Sequence, residues 1–158
     1  MADVFRKLLV PVLLTLTSLG LPSVAVADAA PDGLGPTAGN MCLNSDYPRT
    51  RIVNVESCNS GSGQRWTVSG EQISQSAHPG MCLSSDYPRT RIVNVESCNS
   101  GSRQRWTVSG EQISQSAHPG MCLSSDYPRT RIVNVESCNS GSRQRWTVSG
   151  EQISLTAV

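Results

Sequence analysis

Apolar and polar positions alternate along much of this chain. From Arg51 to Cys58, Val53 and Val55 fall on one side of an extended backbone, and Ile52, Asn54 and Glu56 on the other. A period of two is that of a half-buried strand. Three shorter runs flank it. Met41-Cys42-Leu43 ends near Ser45-Asp46-Tyr47-Pro48, Gln64 to Val68 puts Trp66 and Val68 on one face, and Glu71 to Ser76, entered through Ser69-Gly70, turns Ile73 inward. Asn59 to Gly63 reads as a loop, and His78-Pro79-Gly80 as the turn that ends the unit. No helical period appears among them.

The whole pattern is then copied. The forty residues that begin at Met41 recur at Met81 and again at Met121. The first two copies differ only at Asn44/Ser84 and Gly63/Arg103; the third follows the second through Ser154 and ends Leu155-Thr156-Ala157-Val158. The prediction is an all-β domain of three repeats (41–80, 81–120 and 121–158) with four strands each. One repeat turns about six apolar side chains inward: Leu43, Val53, Val55, Trp66, Val68 and Ile73. That is too little to offset an ordering entropy of about 1–2 kcal/mol per backbone residue. The copies must share one core, which suggests a barrel with pseudo-threefold symmetry. Propeller blades have a similar length but usually number four or more. Exchange of repeats between chains is another way to complete the core.

The first residues follow a different rule. Arg6 and Lys7 precede the apolar run Leu8 to Leu21, and Ser23-Val24-Ala25-Val26-Ala27 follows. Charged, apolar and small-residue segments in that order predict a secretory signal over 1–27, cleaved after Ala27 or Ala29. The alternative is an uncleaved anchor, although the run is short for a membrane span and contains Pro11. Residues 28–39 form a Pro/Gly-rich leader, and 40–158 the repeat domain. The expected location is extracellular, with no membrane association once the signal is removed. About 120 residues of repeat domain leave no room for a separate catalytic domain.

Charge narrows the partners. Setting aside Asp3, Arg6 and Lys7 from 12 acidic and 13 basic residues leaves eleven of each, and every remaining cation is arginine. That balance argues against nucleic acid, which calls for a basic stripe. The six cysteines fall two per repeat: Cys42 and Cys58, Cys82 and Cys98, Cys122 and Cys138. Six allow 15 pairings. Repeat symmetry favours the three pairs within repeats, each worth roughly 3 kcal/mol in the chain-entropy picture. Cysteines sixteen apart without a C-x-x-C lack the usual zinc spacing, so no metal or cofactor is expected.

Each repeat opens with Cys-Leu and carries a Q-x-W motif six residues after its second cysteine: Gln64-Arg65-Trp66, Gln104-Arg105-Trp106 and Gln144-Arg145-Trp146. In this the chain resembles the ricin B-type β-trefoil lectins over residues 38–157. Within that family it is similar to actinohivin-like three-repeat lectins, whose C-N-G-G-x-x-Q-x-W segment aligns without a gap to Cys98 through Trp106. The resemblance implies a β-trefoil and a secreted, monomeric, non-enzymatic protein that binds glycans on glycoproteins or polysaccharides at up to three equivalent shallow sites. The motif itself reads as structural. Trp66, Trp106 and Trp146 would supply core bulk, and Gln64, Gln104 and Gln144 would satisfy turn backbone.

The family's sugar site uses an Asp two residues after the first cysteine, an aromatic shortly before the second, and an Asn that stands either just before the Q-x-W, where this chain has Gly63, Arg103 and Arg143, or just after the second cysteine. This chain keeps the last, at Asn59, Asn99 and Asn139, but holds Asn44, Ser84 and Ser124 in place of the Asp. Asp46, Asp86 and Asp126 come two residues later, beside Tyr47, Tyr87 and Tyr127. One reading is a displaced site. Asp46 accepts from sugar hydroxyls, Tyr47 stacks, and Asn54 and Asn59 complete the rim, as would Asp86, Tyr87, Asn94 and Asn99, and Asp126, Tyr127, Asn134 and Asn139. The other is that Asp46 caps a turn before Pro48 and Tyr47 merely covers the barrel. Loss of the usual Asp and aromatic also leaves open a protein-interaction or inhibitor module. Glycoside hydrolysis by Asp46 and Glu56 finds no support in the spacing.

Overall fold

The computed structural model describes residues 41–156. The expected signal and leader lie outside the described residues. Among these, there are twelve strands and three single-turn 3₁₀ segments, the all-β arrangement expected.

The sheets do not coincide with the copies. Strands β1 (Met41–Ser45) and β2 (Val53–Ser57) of repeat 1 join β11 (Trp146–Ser149) and β12 (Gln152–Leu155) of repeat 3 in the order β11-β12-β1-β2. Strands β3 (Trp66–Ser69) and β4 (Gln72–Gln75) continue into β5 (His78–Ser85) and β6 (Val93–Ser97). In the same way β7 (Trp106–Ser109) and β8 (Gln112–Gln115) pair onward to β9 (His118–Ser125) and β10 (Val133–Ser137). All pairs are antiparallel, and Cys42 opposite Ser154 closes the ring within one chain. Each half-repeat thus completes its neighbour's sheet, so that no repeat has a whole sheet of its own.

Two belts of backbone bonds bind the three sheets. Val55 N–H donates to the Arg131 carbonyl, Val95 to Arg51 and Val135 to Arg91, at 2.8–2.9 Å. Trp66 N–H donates to the Glu151 carbonyl, Trp106 to Glu71 and Trp146 to Glu111, at 2.7–2.8 Å. The core gathers Leu43, Val53, Val55, Trp66 and Ile73 with their copies, together with Met41, Met81, Met121 and Leu155. Each indole N–H donates to a strand carbonyl 2.9 Å away, at Leu43, Leu83 and Leu123. The bulkiest core residue therefore buries its one polar group with a partner. The disulfides join Cys42 to Cys58, Cys82 to Cys98 and Cys122 to Cys138, all within repeats.

Three details differ from the sequence reading. Val68 is only partly buried, and Val108 and Val148 are exposed, because this residue faces Ile73 or its copy near the tip of a hairpin that turns at Gly70, Gly110 or Gly150. Those glycines have φ of 56–57°, a left-handed conformation that costs glycine little. Gln64 starts no strand; it closes the 3₁₀ turn Ser62–Gln64. His78-Pro79-Gly80 does not end the unit but opens β5, and the turn is Ser76-Ala77. The backbone carbonyls of this stretch are used in pairing: Gly80 accepts from Cys98 N–H at 2.9 Å, as Gly120 does from Cys138.

Candidate functional site

The turn after β1 is built by its own backbone. The Asp46 carbonyl accepts from the N–H groups of Arg49 at 2.9 Å and Thr50 at 3.1 Å, and the Ser45 hydroxyl accepts from Tyr47 N–H at 3.2 Å. The turn presents Asp46 and Tyr47 over an open groove. In repeat 1 this groove has a volume of about 540 Å³ and is lined by Asn44 to Arg49, Glu56 and Gly61 to Gly63. Tyr47 packs partly on the core and meets the His78 ring edge-on, with centroids 4.9 Å apart; Tyr87 and His118 repeat the contact at 5.0 Å.

Asn54 stands behind the groove rather than in its lining. Its Oδ1 accepts from Asn44 Nδ2 at 3.0 Å, and its own Nδ2 lies 3.5 Å from Glu56 Oε1. Asn59 is not among the residues that line this groove, and its amide is already engaged. Asn59 Oδ1 accepts from Gly61 N–H at 2.6 Å, and Nδ2 donates to the Ser57 carbonyl at 3.2 Å. Gln64 holds the same loop: its Oε1 accepts from Asn59 N–H at 2.8 Å and its Nε2 donates to the Ser57 carbonyl at 3.0 Å. Asn99, Asn139, Gln104 and Gln144 repeat these bonds.

The Asn99 and Asn139 loops instead edge grooves between neighbouring repeats. One, of about 520 Å³, is lined by Glu71, Gln72, Cys98, Asn99, Ser100 and Arg105; its copy, of about 500 Å³, contains Glu111, Gln112, Asn139 and Arg145. Here Gln72 Nε2 donates to the Asn99 carbonyl at 2.8 Å, and Gln112 and Gln152 donate to those of Asn139 and Asn59 at 2.7 Å. These bonds fasten each loop to the adjacent repeat.

The turn carboxylates are not equivalent. Asp86 accepts from Arg89 Nε at 3.0 Å and Thr90 Oγ1 at 3.2 Å on one oxygen, and from Arg103 Nη1 at 3.0 Å on the other. Its pKa is lowered, chiefly by the Arg89 hydrogen bond, with help from Thr90 and the charges of Arg89 and Arg103, against the opposing effect of burial. Asp126 accepts from Thr130 at 3.1 Å and Arg143 at 3.2 Å. Position 63 is glycine, and the Asp46 carboxylate has no side-chain hydrogen bond or ion pair among the described residues. The family resemblance marks position 63, just before the Q-x-W, as part of the sugar site, but nothing in the sequence signals that an arginine there reaches the turn aspartate.

Comparison with known proteins agrees with this fold. A family model, the ricin-type β-trefoil lectin domain, matches residues 33–146, and the chain belongs to that family. The fold is similar to that of the β-trefoil lectin of the Vibrio vulnificus hemolysin/cytolysin, solved with N-acetyl-D-lactosamine bound (TM-score 0.58, 21% identity, covering 75% of this chain and 88% of that one). It is also similar to a non-toxic homologue of type II RIPs from Momordica charantia, solved with α-methyl-D-galactoside (0.60, 22% identity, 70% of this chain and 44% of that one). The C-half of an earthworm R-type lectin, in complex with GalNAc, superposes with TM-score 0.56 at 13% identity, covering 71% of this chain and 88% of that one. No curated protein matches the chain.

Proposed function

We propose that the protein is a secreted, non-enzymatic carbohydrate-binding protein that takes glycans in the grooves beside its β1-type turns, with up to one site per repeat. The observation that carries this reading is the Asp46 carboxylate, unpaired among the described residues, beside Tyr47 over the groove of repeat 1. Two carboxylate oxygens suit a pair of neighbouring sugar hydroxyls, and the tyrosine offers an apolar plate for a ring face. The sugars held by the three solved neighbours support it, and make galactose-type ligands the first probes. The finer likeness to actinohivin-like lectins rests on the Cys-Asn to Q-x-W segment alone. Shallow sites on one scaffold gain by effective concentration, by about 10²–10⁴-fold where the glycan spans them.

The test is a glycan array probed with the mature chain. Specific signal is expected on a restricted set of glycans, and the combined Asp46→Ala, Asp86→Ala and Asp126→Ala variant is expected to lose it while still unfolding in a single cooperative thermal transition. Undiminished binding by that variant would remove the turn aspartates from the site. A second reading, a protein-interaction module, has one observation in its favour. Ile52, Ile92 and Ile132 are 57–59% exposed around an apolar hollow of about 400 Å³ where the three repeats meet. A blank array together with a partner lost on Ile92→Asp would select it.

A further inference from the structure

Of forty positions, the first two copies differ at two, and both line the same groove. They are also in contact. A Cβ added to Gly63 would lie 2.7 Å from Asn44 Oδ1 and 2.6 Å from the Ser45 carbonyl oxygen, so a side chain at 63 requires the Asn44 amide to turn aside and the backbone at Ser45 to shift. Repeat 1 keeps Asn44 and pairs it with Gly63, while repeats 2 and 3 hold Ser84 with Arg103 and Ser124 with Arg143. The small serine instead donates to Glu96 at 3.1 Å and Glu136 at 3.3 Å. The exchange leaves a mark behind the groove: Asn54 Oδ1 is satisfied by Asn44, whereas Asn94 Oδ1 and Asn134 Oδ1 are buried without a partner among the described residues. Such an atom has a desolvation cost of about 1–3 kcal/mol. Repeats 2 and 3 carry that cost and hold an arginine across the aspartate.

We infer that position 63 gates the site: Gly63 leaves the Asp46 groove open to a neutral sugar, whereas Arg103 and Arg143 occupy the carboxylates of repeats 2 and 3. This rests on the carbohydrate reading above and narrows its three sites to one open and two self-occupied. The arginine donates to the oxygen that a hydroxyl pair would need, and Thr90 and Arg89 already use the other oxygen of Asp86. A sugar entering repeat 2 must displace charge-assisted bonds, and its affinity there falls by at least about tenfold.

The internal copies supply folded controls. Asn44→Ser with Gly63→Arg makes repeat 1 identical to repeat 2; Ser84→Asn with Arg103→Gly makes repeat 2 identical to repeat 1, and Ser124→Asn with Arg143→Gly does the same for repeat 3 as far as Ser154. Binding is counted by calorimetry with methyl α-D-galactoside, N-acetyl-D-lactosamine, N-acetylgalactosamine, mannosyl and xylosyl oligosaccharides, and sialyllactose as the acidic probe. The expected result is one site in the unaltered chain and affinity lost by at least about tenfold in the first double variant. Two sites are expected when repeat 2 is converted, and three when both later repeats are. Three equal sites in the unaltered chain, or undiminished binding after Asn44→Ser with Gly63→Arg, overturns the gate and leaves the carbohydrate reading standing. Sialyllactose bound through Arg103 and Arg143 overturns it too, by making the arginines ligands. Silence from every variant towards every probe overturns both.

Discussion

Repeat 1 and repeat 2 share a scaffold and differ in one groove. Both bury a tryptophan on a leucine carbonyl, close a disulfide across sixteen residues and fold an Asn-Gln loop that accepts from a glutamine of a neighbouring repeat. At the turn beside β1 they part. Asp46 faces an open groove edged by glycine, whereas Asp86 is held by Arg89, Thr90 and Arg103. Sequence copying has kept what closes the barrel, and two substitutions have changed what one face of it offers.

The largest effects should fall on the shared part. Trp66→Ala, Trp106→Ala and Trp146→Ala each remove a fully buried indole and should each cost about 3–5 kcal/mol in denaturant unfolding. The three costs should agree; a much cheaper loss in one repeat would show that the core is not shared equally. Next comes the coupled pair. Ser84→Asn alone places its amide against Arg103 and should cost about 1–3 kcal/mol. Added to Arg103→Gly it should cost less, because Asn94 Oδ1 then gains a donor, giving a coupling energy of about 1–2 kcal/mol in a double-mutant cycle. Additive costs would break the link between positions 44 and 63.

A second internal comparison predicts gains. Gln75 and Gln115 are fully buried, and neither amide oxygen nor nitrogen has a partner among the described residues; repeat 3 has Leu155 there, 2% exposed. Gln75→Leu and Gln115→Leu should each stabilise the protein by about 1–2 kcal/mol, read as a higher denaturation midpoint at constant m. The smallest effect is electrostatic. Asp86 has a folded-state pKa below the ordinary 3.8, so it contributes stability that is present above that value and is lost as pH falls through the lower folded value. Arg89→Ala should raise the Asp86 pKa more than Arg103→Ala does, followed by NMR titration of its carboxyl carbon. An unmoved titration would remove Arg89 as the main cause.

Much of the fold was legible because the chain states it three times. The alternation at Ile52 to Glu56 places Val53 and Val55 inward, and the cysteine pairs follow from symmetry. Strand edges were less so. A Pro-Gly after His78 has the composition of a turn, yet its carbonyls pair across to the next strand, a partner that local composition does not show. The groove was legible only in part. Asp46 and Tyr47 are adjacent in sequence and lie together, but Asn59 satisfies its own loop, and Arg103 reaches Asp86 across seventeen residues of chain. Nothing in local periodicity encodes either contact.

The most direct test of an open first repeat uses the residues that only this repeat has. In an ¹⁵N-labelled chain titrated with the glycan that gives the strongest array signal, the Gly63 backbone amide and the Asn44 side-chain amide should shift at sugar concentrations that leave Arg103 and Arg143 in place. Gly63, Arg103 and Arg143 amides moving together along one binding curve would show three equivalent sites and contradict the account.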